Sequence, residues 1–426
     1  MGALNTLSAA EAARQLAEGR ITSEALVRDC FERIDVREAE VRAWQHLERE
    51  AALNQARAAD AGPRRGLLHG LPVGVKDLID TVDMPTTYGS PIYAGHRPAW
   101  DAACVALTRA AGGIVIGKTV TTEFALMHPG PTRNPHNTSH TPGGSSSGSA
   151  AAVADYMVML ALGSQTAGSV IRPAAFCGVV GYKPSFGLIS RVGVKALSDT
   201  LDTIGVIART VPDAALFAAA VTGRTDLMTT KSLAAGPSVG ICRTYEWKRA
   251  QPEMMEALES AAKKLSAAGI RIKEVNLPPT YASLVQAQTD IMFVEQAQSL
   301  AHERLTHKSQ LSERLRGLLE AGLGISHERY DAAQTLARNC RRNLTEVFTD
   351  CDVLLAPSAP GTAPVGLGMT GDPLFNRIWT LLRVPCINIP VATAANGLPL
   401  GLQVIGAYGN DAHALAAAHW LHQVLM

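Results

Sequence analysis

The sequence is short of most features that mark a specialised environment. Aromatic residues fill only 5% of its 426 positions and charged residues 18%. The 39 lysines and arginines nearly balance the 38 aspartates and glutamates, leaving a formal net charge of +1 with no run of one sign. A phosphate backbone needs clustered cations, so nucleic acid is not expected as a partner. No apolar stretch approaches the roughly 20 residues of a membrane-spanning helix, the best candidate being the short run around Tyr156 to Leu162. The opening MGALNTLSAAEAARQLAEG lacks the apolar core and cleavage site of a signal peptide. The cysteines, Cys30, Cys104, Cys177, Cys242, Cys340, Cys351 and Cys386, are scattered, odd in number and form no CxxC. That argues against a disulfide framework and for reduced, buried thiols in a cytoplasmic protein.

What is present is an alternation of strand-like and helix-like segments. Ser8 and Glu11 have capping-box spacing ahead of a helix that Gly19 can end, and a second helix is expected from Thr22 to Ile34. LPVGVKDLI reads as a strand ending near Lys76, DAACVALTRAAGG as a helix with a glycine stop, and IVIG as the next strand. SSGSAAAVADYM opens a helix and MVMLALG is a buried strand. SVGIC, PEMMEALESAAKKLSAAG and IRIKEV form another strand–helix–strand unit. Residues 281–347 are helical and more charged, and are expected to form a cap. DVLLAPS and CINIPVATAANGLPLGLQVIG return to strands, with Asn396-Gly397 as a turn, and a helix from Ala412 to Leu425 follows. The expected fold is α/β, a single domain over 1–426 with a mixed central β-sheet covered by α-helices on both faces.

The most unusual stretch runs from Thr141 to Gly178. Two loops of small residues, Gly143-Gly144-Ser145-Ser146-Ser147-Gly148 and Gly163-Ser164-Gln165-Thr166-Ala167-Gly168-Ser169, are tied by a helix and a strand. Small residues let backbone N–H groups approach a ligand closely, as an oxyanion hole requires. A Gly/Ser loop alone is ordinarily just a loop; here two occur together, and the second runs into Ser169-Val170-Ile171-Arg172-Pro173.

In these residues the chain resembles the amidase signature family. The match is carried by GGSSSGSAAAVA and GSQTAGSVIRPAAFCGVVGYKPSFG, with GLPVGVKDLID, GKTVTTEFA and NPHNTSHTPGG upstream. SDTLDTIGVIART and VPCINIPV…GLPLGLQVIG extend it downstream, and the signature core spans about 65–210. The resemblance implies a Ser–cis-Ser–Lys triad: Ser169 as nucleophile, Ser145 as the bridging serine after a cis peptide bond, and Lys76 as base. It also implies an oxyanion hole at Thr166, Ala167, Gly168 and Ser169, amide hydrolysis through an acyl-enzyme, and no cofactor.

The chemistry is coherent. A serine hydroxyl is a weak nucleophile until a base takes its proton. A lysine can be that base only when neutral, so burial must lower its pKa. Asp77 would oppose this, but alternation along a strand turns it to the other face. Arginine stands three residues after Ser169, where many members of the family have it two residues after. The shift resembles malonamidase-type members, in which this arginine receives a substrate carboxylate. Arg172 and Ser146 are therefore the candidate substrate-binding residues, Arg172 having a structural ion pair as its alternative. The shift weakens the reading as a glutaminase component of a transamidation complex, which remains the alternative, beside a non-catalytic binding module on the same fold. The expected partner is a small amide substrate, and a homodimer is compatible with the resemblance.

Other motifs are set aside. Gly112 to Thr119 spells a phosphate loop, but Ile114-Val115-Ile116 reads as strand. Ser260 and Lys263 spell SxxK on a helix without companion motifs. His128, His136 and His140 share a Pro/Asn-rich loop without a cysteine ligand, so no metal is expected. Asp202 is expected to brace the site by hydrogen bonds or to cap a strand.

Overall fold

The computed structural model describes residues 3–228 and 236–426. Ser8 caps α1 (Ala9–Ala17), its side chain accepting from the Glu11 amide. Thr22 caps α2 (Ser23–Val41), which runs past Ile34, beyond the end expected from its apolar spacing. The longer helix is stopped by Arg42 at φ 55°, and Glu38 reaches back to accept from the amides of Ala43 and Trp44. β1 (Trp44–Leu47) and α3 (Arg49–Ala61) follow.

The motif-bearing segment then supplies β2 (Pro72–Lys76), α4 (Ala103–Ala110), β3 (Ile114–Thr119), α5 (Ser147–Ala154) and β4 (Leu160–Gln165). It continues with α6 (Ile171–Cys177), β5 (Val180–Lys183), β6 (Thr203–Ala208) and α7 (Val211–Thr222). The strand–helix–strand unit is β7 (Val239–Ile241), α8 (Pro252–Ala267) and β8 (Ile272–Glu274). Four helices come next: α9 (Leu284–Ser299), α10 (Ala301–Thr306), α11 (Glu313–Leu323) and α12 (His327–Arg342). β9 (Val353–Pro357), α13 (Leu374–Leu381), β10 (Cys386–Thr393), β11 (Pro399–Ile405) and α14 (Asp411–Leu425) end the order.

The strands form one mixed sheet of eleven, ordered β1-β3-β2-β4-β6-β5-β10-β11-β9-β7-β8. β2 lies parallel to both β3 and β4, whereas β4 pairs antiparallel with β6. The turn at Asn396-Gly397 joins the antiparallel pair β10 and β11. Helices cover both faces, and β4 shows how the pleat divides them. Leu160 and Leu162 enter the core under α1, α4, α7, α8 and α14. Ala161 between them faces α2, α3, α5 and α6. A third core joins α9, α12 and α13 to β9, β10 and β11. No helix among the described residues is long and apolar enough to cross a membrane.

Candidate active site

Every residue of β2 is buried, because the strand is flanked on both edges and covered on both faces. Its last side chain, Lys76, therefore ends inside the protein. Lys76 Nζ donates to Ser145 Oγ at 2.7 Å and to Ser164 Oγ at 2.8 Å. Asp77 turns away, as strand alternation requires: it lies 3.3 Å from Lys118 Nζ and accepts from the Thr87 amide and hydroxyl. With no paired carboxylate, burial pushes the Lys76 amine down to about 7, opposed only by the field of Asp202. Asp202 is itself engaged, accepting from Thr166 Oγ1 at 2.6 Å and from the amides of Leu197 and Ser198 at 2.8 and 3.0 Å. It braces the loop before Ser169, one of its two expected roles.

Ser145 follows a cis peptide bond from Gly144. Ser146 departs from the expectation that it binds substrate. Its hydroxyl is fully buried and sits on β4, donating to the Ser164 carbonyl and accepting from the Ser164 amide, both at 3.3 Å. It fastens the first loop to the second, and its amide donates to the Ser169 carbonyl at 3.3 Å.

The second loop is held from behind. Gln165 Oε1 accepts from the amides of Val170 and Ile171 at 2.9 and 3.0 Å, and its Nε2 donates to Thr380 Oγ1 at 3.0 Å. The carbonyls of the loop are each taken by a donor outside it: Thr166 by Gln288 Nε2, Ala167 by Thr380 Oγ1 and Gly168 by the Arg172 amide. The amides of Ala167, Gly168 and Ser169 make no hydrogen bond among the described residues. Donors left unspent beside a serine hydroxyl could meet a developing oxyanion. Gly168 has no room for a side chain: a Cβ there would lie 2.4 Å from Asn376 Oδ1. The Ser169 hydroxyl has no hydrogen-bond partner among the described residues, so the contact between Ser145 and Ser169 is not closed in this structure.

Arg172 projects from α6 and is 4% exposed. Its Nη2 donates to the Gly144 carbonyl at 2.6 Å and to Thr370 Oγ1 at 3.1 Å, while Nε and Nη1 are buried without a partner. It makes no ion pair among the described residues, so the structural alternative is not what the geometry holds. Burial pushes its guanidinium down to about 9.

Ser169, Thr166 and Ala167 open onto a cavity of about 100 Å³, lined also by Arg172, Thr370 and Arg377. Its remaining wall is apolar and includes Met127, Met292, Phe293 and Leu318. A larger cavity of about 330 Å³ touches Ser164, Thr166 and Asp202 but not Ser169. Of the two, only the smaller one is lined by Ser169. Ser164, Thr370, Arg377 and Thr380 were not singled out by the sequence. Ser164 lay within the quoted loop, whereas Thr370, Arg377 and Thr380 sit in segments with no reactive-residue pattern.

The discarded motifs fall where expected. Gly117, Lys118 and Thr119 lie within β3, with Lys118 Nζ donating to the Ile79 carbonyl at 2.8 Å. Ser260 and Lys263 lie on α8. His136 Nε2 bonds the Cys177 carbonyl.

The profile of the family described as Amidase matches residues 25–415. A glutamyl-tRNA(Gln) amidotransferase subunit from Koribacter versatilis is 33% identical over 469 aligned positions, 96% of this chain and 96% of its own. The crystal structure of an amidase superposes with a TM-score of 0.90 at 32% identity, covering 99% of this chain and all of the other. The native peptide amidase from Stenotrophomonas maltophilia superposes with a TM-score of 0.85 at 27% identity, covering 99% and 97%.

Proposed function

Since the chain belongs to the amidase family, we propose that it hydrolyses the carboxamide of a small, carboxylate-bearing substrate by acyl transfer through Ser169. The observation that carries this reading is Lys76, fully buried, bonded to two hydroxyls and to no carboxylate. When neutral, Lys76 takes the proton of Ser145, which takes that of Ser169 as its Oγ attacks the carbonyl carbon. The charge that develops on the carbonyl oxygen meets the amides of Ala167, Gly168 and Ser169. The relay returns the proton to the leaving nitrogen, ammonia or an amine departs, and water repeats the sequence on the acyl ester. Arg172 receives the substrate's carboxylate. Residues 281–347 act as the cap: α9 supplies Met292 and Phe293 to the cavity wall and α11 supplies Leu318.

A second reading has its own support. The amidotransferase relative that is 33% identical points to a chain that releases ammonia for a partner protein, against what the offset of Arg172 suggested. Both readings share the acyl-transfer half-reaction and differ in whether the isolated chain turns over. Ammonia release from acidic and neutral amides, by wild type and Ser169→Ala, separates them. Release by wild type alone supports the free-standing hydrolase. Silence across the panel, with release restored by a co-purified partner, supports the transamidation reading.

A further inference from the structure

Cations held in a protein wall ordinarily meet carboxylates, yet two arginines of the Ser169 cavity, Arg172 buried and Arg377 half-buried, make no ion pair among the described residues. Arg172 spends one nitrogen on a carbonyl and a hydroxyl and leaves Nε and Nη1 buried without a partner. Arg377 comes from α13, where its Nη1 donates to Gln288 Oε1 at 2.6 Å and Thr289 Oγ1 at 3.3 Å. Both of those partners are neutral. The acidic group whose field reaches both, Asp372, is held by Arg249 at 2.8 Å. Burial pushes both guanidinium groups below their ordinary range, the field of Asp372 opposes this at both, and Arg377 adds to the lowering at Arg172. No aspartate or glutamate lines the cavity among the described residues. The rest of the wall, from Met127 to Phe293 and Leu318, is apolar.

We propose that Arg377 is a second substrate-binding residue and that it and Arg172 share one carboxylate of the acyl group, which makes the site select acyl groups without a cationic centre. The proposal rests on the amide-hydrolase reading and narrows it. An α-ammonium group would find two guanidinium groups, a sulfur-rich apolar wall and no counter-charge. A plain monoamide of a short dicarboxylic acid satisfies both arginines and places its methylenes against Met292 and Phe293. An amino acid amide does not.

Calorimetry with three probes of one carbon skeleton tests this without requiring turnover: succinate, L-aspartate and succinamide. Wild type is expected to bind succinate at least about tenfold more tightly than either of the others. Arg377→Gln is expected to lose about tenfold on succinate, with Arg377→Lys falling between because it keeps the charge and loses the fork. Arg224→Gln, on the surface and paired with Asp226, is expected to leave succinate binding unchanged. L-aspartate binding as tightly as succinate, or succinate binding indifferent to both Arg377 variants, overturns the proposal. Ammonia release is read separately: no turnover together with charge-selective binding refutes the hydrolase reading alone, and turnover with unselective binding refutes this one alone.

Discussion

In the proposed mechanism Lys76 sets the pH behaviour of the site. Its folded pKa, lowered to about 7 from an ordinary 10.5, puts the neutral, proton-accepting form in the majority only above neutrality. The rate should therefore rise with pH through about 7 and level off above, and kcat/KM measured from pH 5.5 to 9 reads it directly; a flat profile contradicts the assignment. The same shift has a cost in stability. Between pH 7 and 10.5 the unfolded chain binds this proton more tightly than the folded one, so the folded state loses stability as pH falls across that window. Lys76→Met removes the penalty, which at about 1.4 kcal/mol per pH unit is at most about 5 kcal/mol, less about 1 kcal/mol for each of two lost hydrogen bonds. We expect the variant to be inactive, more resistant to urea than wild type at pH 7, and to lose that advantage near pH 10. Residues of this kind were legible in the sequence because a strand, a polar loop and a resemblance converged on them. Three serines in a row carry no mark of which one packs on β4, and the Ser146 hydroxyl is the one that bonds Ser164 there.

Elements place these groups, and the joint between β4 and α6 matters most. Gln165 accepts the amides of Val170, just before α6, and of Ile171, its first residue, and donates to Thr380, which in turn holds the Ala167 carbonyl. Gln165→Leu keeps the volume and leaves two buried amides without acceptors, at a cost of roughly 1–3 kcal/mol each in an unrelaxed structure. Because the same change frees the loop that presents the oxyanion donors, kcat should fall about a hundredfold with little change in KM. Steady-state kinetics and urea unfolding of this one variant check both effects, and a change confined to KM contradicts the argument. Two elements missed in the sequence were hard to see for different reasons. α3 buries only Ala52 and Ala56, so its apolar stripe is two alanines deep. α13 is eight residues long, about two turns, too short for a helical period to stand out from a buried strand. The wall of the cavity that bears Arg377 was hidden for that reason, while the loops built of glycine and serine stood out.

At the scale of the whole molecule the strand order was the least legible feature. β6 enters between β4 and β5, and β10 and β11 pair between β5 and β9, and nothing in local periodicity encodes which distant strands meet. The thiols report on how this sheet opens. All seven cysteines are free and buried. They are distributed among the layers: Cys30 on α2, Cys104 on α4, Cys177 on α6, Cys340 on α12 and Cys386 on β10, with Cys242 just after β7 and Cys351 just before β9. Only the thiolate reacts, and burial pushes Cys30 and Cys104 up to about 12 and Cys386 up to about 11. Native protein at pH 8 should therefore consume about one equivalent or less of a thiol reagent, while denatured chain consumes seven. The order of labelling carries the information. Cys340 and Cys351 bound the cluster that joins α9 and α12 to β9, so their reaction ahead of the rest, located by peptide mapping, would identify the helical cap as the unit that opens first. Early labelling of Cys177 instead would place the first opening beside Ser169, in the loops that hold the oxyanion donors, and the rigid presentation of those donors would have to be given up.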